Sequence, residues 1–164
     1  MKILNQRQIR QMIERLAIQI LENNFESDEI ILAGINNNGM GFARMLYERL
    51  EAHTSIPLTL TNIRLNPADP LAAAVEMDIS PDSLRGKAIV IIDDVANTGR
   101  TIFYAFKPFM AILPAKIEVA VLVDRKHKSF PVKVDYVGLS LATTLRESID
   151  VQIRNVEEEA VYLV

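Results

Sequence analysis

Two adjacent carboxylates, Asp93 and Asp94, close the apolar run of residues 88–92, and Thr98, Gly99 and Thr101 follow a few positions later. Hydroxyls, a glycine that lets backbone N–H groups come close, and the positive end of a following helix suit a phosphate monoester. Carboxylates set against the phosphate itself would be repelled by it. Their natural partners are sugar hydroxyls, or a magnesium ion one step away from the phosphate. A phosphorylated ribose satisfies both halves. Taken alone, an apolar strand ending in Asp-Asp is equally consistent with a simple metal site or a capped turn. Two rival nucleotide motifs fail: residues 34–40 have the glycines of a Walker A loop without its lysine, and residues 39–44 lack the last glycine of a dinucleotide-binding turn.

Such groups need a strand to present them and helices to cover it. Residues 87–93 form a nearly continuous apolar run, the pattern of a central parallel strand buried on both faces. Residues 29–35 and 57–63 read as further strands, and residues 116–124 as the strand after the motif. Apolar residues Ile9, Met12, Ile13, Leu16, Ile20 and Leu21 recur at helical spacing, so residues 6–24 are expected to be a helix. Residues 34–41 are rich in glycine and asparagine and read as a turn, after which Phe42, Leu46, Tyr47 and Leu50 resume helical spacing. Pro67 and Pro70 exclude a regular element at residues 66–70, leaving a loop or lid. Residues 101–113 read as helix up to Pro108, where the missing N–H forces a kink or new start. Weaker strands are expected at 132–137, 151–154 and 160–163. Alternation of strands and helices implies an α/β fold with a mostly parallel central sheet, in which ligands gather at the carboxyl ends of the strands.

The chain has 164 residues, 49% hydrophobic and 24% charged, which predicts one self-sufficient globular domain over residues 1–164. Its apolar runs are far shorter than the roughly 20 residues that span a bilayer, so no membrane segment is expected. The polar residues 6–11 interrupt any signal-like segment at the start. With no cysteine, thiolate chemistry and disulfides are excluded, and a cytoplasmic location is expected. A net charge of −3 argues against a broad nucleic-acid footprint.

Residues 89–101, Ile-Val-Ile-Ile-Asp-Asp-Val-Ala-Asn-Thr-Gly-Arg-Thr, resemble the phosphoribosyl pyrophosphate motif of type I phosphoribosyltransferases. Residues 9–24, Gly34 and Ile35 with Gly39, residues 120–125 with His127, and residues 135–138 extend the match. Within the family, the resemblance is to the branch of pyrimidine operon regulators that also have uracil phosphoribosyltransferase activity. It implies a type I fold with a small hood and a flexible loop, transferring ribose 5-phosphate from phosphoribosyl pyrophosphate to uracil or another nucleobase and releasing pyrophosphate. By the resemblance, Asp93 and Asp94 hold the ribose hydroxyls and, directly or indirectly, Mg2+. Val95, Ala96, Asn97, Thr98, Gly99, Arg100 and Thr101 wrap the 5-phosphate. The loop Asn36, Asn37, Asn38 and Gly39 takes pyrophosphate, without the family's usual arginine; otherwise the asparagines form only a turn. The flexible loop corresponds to residues 64–78, with Arg64 as its catalytic cation or else a solvated strand end.

The base site implied by the resemblance comprises Asp124, Arg125, Val137, Gly138 and Leu139, with Leu139 where the regulators carry lysine. Asp124 and Arg125 alternatively form an ion pair across the turn. A homodimer or larger assembly is implied too. Two other readings remain: an RNA-binding attenuation regulator that responds to pyrimidines, and a non-catalytic binder of phosphoribosyl pyrophosphate. RNA is disfavoured because Glu14, Ile18, Asn23 and Leu139 replace polar or basic positions, leaving His127, Lys128 and Lys133 as the remnant of a basic face.

Overall fold

The computed structural model describes residues 1–144 and 146–164. A short strand, β1 (Lys2–Leu4), leads into helix α1 (Gln6–Asn24). The helix starts where the Asn5 side chain accepts from the Gln8 N–H at 2.9 Å and the Gln8 side chain accepts from the Asn5 N–H at 2.9 Å, a reciprocal cap for two orphan donors. Strand β2 (Ile30–Ile35) runs straight into α2 (Asn36–His53), followed by β3 (Leu58–Arg64) and the two-residue β4 (Glu76–Met77). A 3-10 turn precedes β5 (Ala88–Ala96), which leads to α3 (Arg100–Ala105). A second 3-10 turn, Lys107–Ala111, contains Pro108, as the missing N–H requires. Strands β6 (Lys116–Arg125), β7 (Tyr136–Leu141), β8 (Ile149–Gln152) and β9 (Ala160–Leu163) complete the chain.

The main sheet has the order β4-β3-β2-β5-β6-β7, with β4 antiparallel and all other neighbours parallel. Successive side chains of a strand face opposite ways, so β2 and β5 feed two cores. Ile30, Leu32, Val90 and Ile92 pack beneath α1 and α2 with Ile9, Leu16 and Phe42. Ile31, Ala33, Ile89 and Ile91 pack on the other face with Ile102 and Phe109. A small antiparallel sheet, β1-β9-β8, joins the chain ends, and its Leu4 and Val161 belong to the helix-side core.

Three expectations shift. Asn36 to Gly39 is the first turn of α2 rather than a loop. β7 begins at Tyr136, because Val132 and Val134, whose alternation reads as strand, instead pack without pairing on the α3 side. β8 lies two residues earlier than expected. Chain order reverses direction between β2 and β5, since β3 lies to one side of β2 and β6 to the far side of β5. A crevice at the carboxyl ends of these two strands is where such sheets bind ligands.

Candidate active site

Asp93 and Asp94 are the sixth and seventh residues of the nine-residue β5, whose first six positions are buried. Asp93 is 9% exposed, and its Oδ1 accepts from the Asp94 N–H at 2.9 Å; Asp94 Oδ1 accepts from the Val95 N–H at 2.9 Å. Burial, and then the neighbouring Asp94 charge, push the Asp93 carboxyl well above the usual carboxylate range. Burial raises Asp94 as well, against backbone hydrogen bonds and the Arg154 charge, which lower it. Two desolvated carboxylates side by side are unfavourable until donors or a cation arrive, the condition a ligand site meets.

Gly39 lets α2 start directly over this pair. A Cβ there would lie 2.6 Å from the Ile92 carbonyl oxygen and 3.3 Å from Asp93 Oδ1, so any larger residue would lift the helix off β5. Asn36 stands at φ 51, which asparagine tolerates. Its amide Nδ2 donates to the Leu65 carbonyl at 2.9 Å and its Oδ1 accepts from the Leu65 N–H at 3.0 Å. That side chain clamps the end of β2 to the start of the segment after β3. A cavity of about 520 Å³ opens between the two strand ends, lined by Asn37, Asn38, Asp93, Asp94, Asn97 and Arg154, among others.

The segment after β5 encloses a second cavity of about 230 Å³, lined by Pro67 and residues 95–102. Gly99 takes φ 88 as the N-cap of α3, which turns the chain so that Thr98 and Thr101 flank the opening. Its brace comes from behind. Buried Arg125 donates to Asn97 Oδ1 at 3.1 Å, to Thr143 Oγ1 at 2.6 Å and to the Thr144 carbonyl at 2.9 Å. Lys128 Nζ donates to the Asn97 carbonyl at 3.0 Å and to Asp124 Oδ1 at 2.7 Å. Asp124 thus pairs with Lys128 and not with Arg125, and it reaches the loop only through Lys128, whereas Arg125 bonds Asn97 directly. Val137, Gly138 and Leu139 lie within β7, beside Val121 and Val123 of β6, and Arg15 donates to the Gly138 carbonyl at 2.8 Å. They do not line either cavity. Arg64 ends β3 against Asp78 and, at 3.9 Å, Glu76, in a third cavity on the far side of Asn36 and Asn37.

Arg154 was not signalled by the sequence. It follows β8, over a hundred positions from Asn38, and only the folding of the small sheet onto α2 brings the two together. Of the positions weighed for RNA, Asn23 donates to the Tyr136 hydroxyl at 3.1 Å, Glu14 pairs with Arg49, and Lys133 pairs with Asp135.

A β5 strand ending in paired carboxylates, a small cavity formed by the segment that follows it and a helix start across the crevice make up an α/β fold with its polar groups gathered at the strand ends. Residues 1–158 match the family model for the phosphoribosyl transferase domain, and the chain belongs to that family. Its relatives place it in the branch of "Bifunctional protein PyrR". The protein of that name from Streptococcus equi subsp. zooepidemicus is 33% identical over 94% of this chain and 91% of its own length. That from Pediococcus pentosaceus is 30% identical, over 99% and 97%. Among solved structures, a hypoxanthine-guanine phosphoribosyltransferase from Bacillus anthracis superposes with a TM-score of 0.78 at 20% identity, over 97% of this chain and 95% of that one. The hypoxanthine phosphoribosyltransferase of Trypanosoma cruzi gives 0.78 at 17%, over 98% and 94%.

Proposed function

We propose that this phosphoribosyltransferase moves ribose 5-phosphate from phosphoribosyl pyrophosphate to a nucleobase, uracil or another pyrimidine or purine, and releases pyrophosphate. The observation that carries the reading is the desolvated Asp93–Asp94 pair lining the 520 Å³ crevice, which shares Pro67, Val95, Asn97 and Thr101 with the 230 Å³ cradle. The cradle takes the 5-phosphate through Thr98, Thr101 and the backbone N–H groups around Gly99. The carboxylates take the ribose hydroxyls, and the crevice toward Asn37 and Asn38 takes the leaving group.

The donor set fits Mg2+. Two carboxylates form no complete cage, which suits an ion that keeps waters and completes its shell with substrate oxygens. Among the described residues no group of three or more acidic, histidine or cysteine ligands offers a full protein site. Bound Mg2+ would neutralise charge on the departing pyrophosphate. The chain's own part is electrostatic: positive charge developing on the ribose meets Asp93 and Asp94, and the amide donors of the α2 start face the departing anion.

Incubation with phosphoribosyl pyrophosphate, Mg2+ and a panel of nucleobases is expected to release pyrophosphate with at least one base. Asp94→Asn is expected to lower that rate on the order of 100-fold or more. No release with any base would sink the reading. RNA is the disfavoured partner: Lys128 is folded back onto Asn97 and Asp124, which leaves His127 and the exposed Lys133 as the remnant of a basic face. A cytoplasmic homo-oligomer is part of it, and sedimentation of the purified protein checks the assembly. No helix among the described residues is long and apolar enough to cross a membrane.

A further inference from the structure

A pyrophosphate leaving group needs a cation on its side of the crevice, and the α2 start that faces it carries only Asn36, Asn37, Asn38 and Gly39. Asparagine amides donate hydrogen bonds but bring no charge, and charge-assisted bonds are about twice as strong as neutral ones. Asp93 and Asp94 make the local field more negative still.

The Arg154 stem lies against the first turns of α2. A Cβ on Gly41 would fall 2.7 Å from both Cγ and Cδ of Arg154, so the helix presents a bare groove and the arginine fills it. From that groove, Nη2 donates to Asn38 Oδ1 at 2.9 Å, on the side chain of the loop itself. The guanidinium lines the same cavity as Asp93, Asp94 and Asn37. One N–H is committed to Asn38, and a planar fork of five leaves others able to meet phosphate oxygens.

We propose that Arg154, delivered by the small sheet and aimed by Asn38, is the cation that binds the pyrophosphate of phosphoribosyl pyrophosphate in this protein, in place of an arginine in the loop. The assignment rests on the phosphosugar reading above. Gly41 clears the groove for the stem, and Asn38 is a positioning residue that turns the fork toward the crevice. The bland reading of the same contact is a tie that merely holds the small sheet to α2.

The two readings part on ligands that differ only in pyrophosphate. Calorimetry with Mg2+ would compare phosphoribosyl pyrophosphate, ribose 5-phosphate and inorganic pyrophosphate on wild type, Arg154→Ala and Arg154→Gln, each with its melting temperature. Arg154→Gln keeps a donor for Asn38 without the charge, and serves if the alanine variant does not fold. The expected result is about tenfold or greater weakening for the two pyrophosphate-bearing ligands, with ribose 5-phosphate affinity unchanged. Arg154→Lys should recover part of the loss, and the Asn38→Arg/Arg154→Ala double variant, which puts the cation back on the loop, most of it. Equal weakening of all three ligands, or none, would overturn the assignment and leave the phosphosugar reading standing. A wild type that binds neither phosphoribosyl pyrophosphate nor ribose 5-phosphate would overturn both.

Discussion

The Arg100 guanidinium donates to the Pro67 carbonyl at 2.6 Å, so the first residue of α3 reaches across the mouth of the smaller cavity, the proposed phosphate cradle, to the connection between β3 and β4. The two segments are joined at the point where Pro67 lines both cavities. That connection falls within residues 64–78, where the family resemblance implies a flexible loop, and its ends are held by the β3–β4 pairing of Ile63 with Met77 and Arg64 with Glu76.

Arg100→Ala removes the tie and leaves the cradle backbone in place. The expected outcome is a rise in KM for phosphoribosyl pyrophosphate of about fivefold, the factor that one hydrogen bond of about 1 kcal/mol supplies, with faster proteolysis between residues 66 and 75. Melting temperature should hardly move, since Arg100 is exposed. Unchanged cleavage and unchanged KM would show that the tie has no consequence.

Arg125 is a different case because it is buried and holds three partners at once. Arg125→Met keeps the bulk and leaves Asn97 Oδ1 and the Thr144 carbonyl without their donor. The expected cost is about 2–3 kcal/mol, read as a melting temperature lower by roughly 4–12 °C. Affinity for ribose 5-phosphate should fall too, because Asn97 belongs to the cradle. A stable variant with normal affinity would mean that the brace is dispensable.

What could be read from the sequence follows what is local. β5 declared itself because a strand buried on both faces must be apolar along its whole length, and Asp-Asp at its end breaks that pattern abruptly. The start of α2 did not, because the propensities of asparagine and glycine favour a turn. Packing of Gly39 on β5 and the Asn36 clamp on Leu65 override them. Asp124 and Arg125 were visible as polar residues ending a strand, but not that Arg125 bonds Asn97 and Asp124 holds Lys128 against it. Arg154 meets Asn38 across 116 positions, and nothing in the local pattern around Arg154 marks it.

Gly39→Ala tests how closely the α2 start must sit on β5. A methyl 2.6 Å from the Ile92 carbonyl forces the helix or strand to shift. Overpacking of this kind costs about 1–3 kcal/mol. Displacement by a fraction of an ångström would also spoil the alignment of leaving group and carboxylates, lowering kcat/KM on the order of 100-fold. Steady-state kinetics beside a thermal melt checks both effects. A fall in melting temperature without a fall in activity would show that the crevice tolerates the shift.

Asp93→Asn separates the needs of the fold from those of the site. The Asp93 carboxyl is raised well above its usual range by burial and by Asp94, so the folded protein holds its proton more tightly than the unfolded chain does. For a raised carboxyl, stability is greatest below the unfolded value, about 4, and falls as pH rises through the folded value. The neutral amide removes that cost and keeps an oxygen to accept from the Asp94 N–H. Asp93→Asn is therefore expected to melt higher than wild type at pH 7 without ligand, with the gap closing toward pH 4. Saturating phosphoribosyl pyrophosphate and Mg2+ should reverse the order, because the variant keeps only Asp94 of the two carboxylates that wild type offers to the sugar and the ion. Melts across this pH range, with and without ligand, decide it: an amide variant less stable than wild type at pH 7 without ligand would mean that the carboxylate is compensated inside the fold and is not held in wait for substrate.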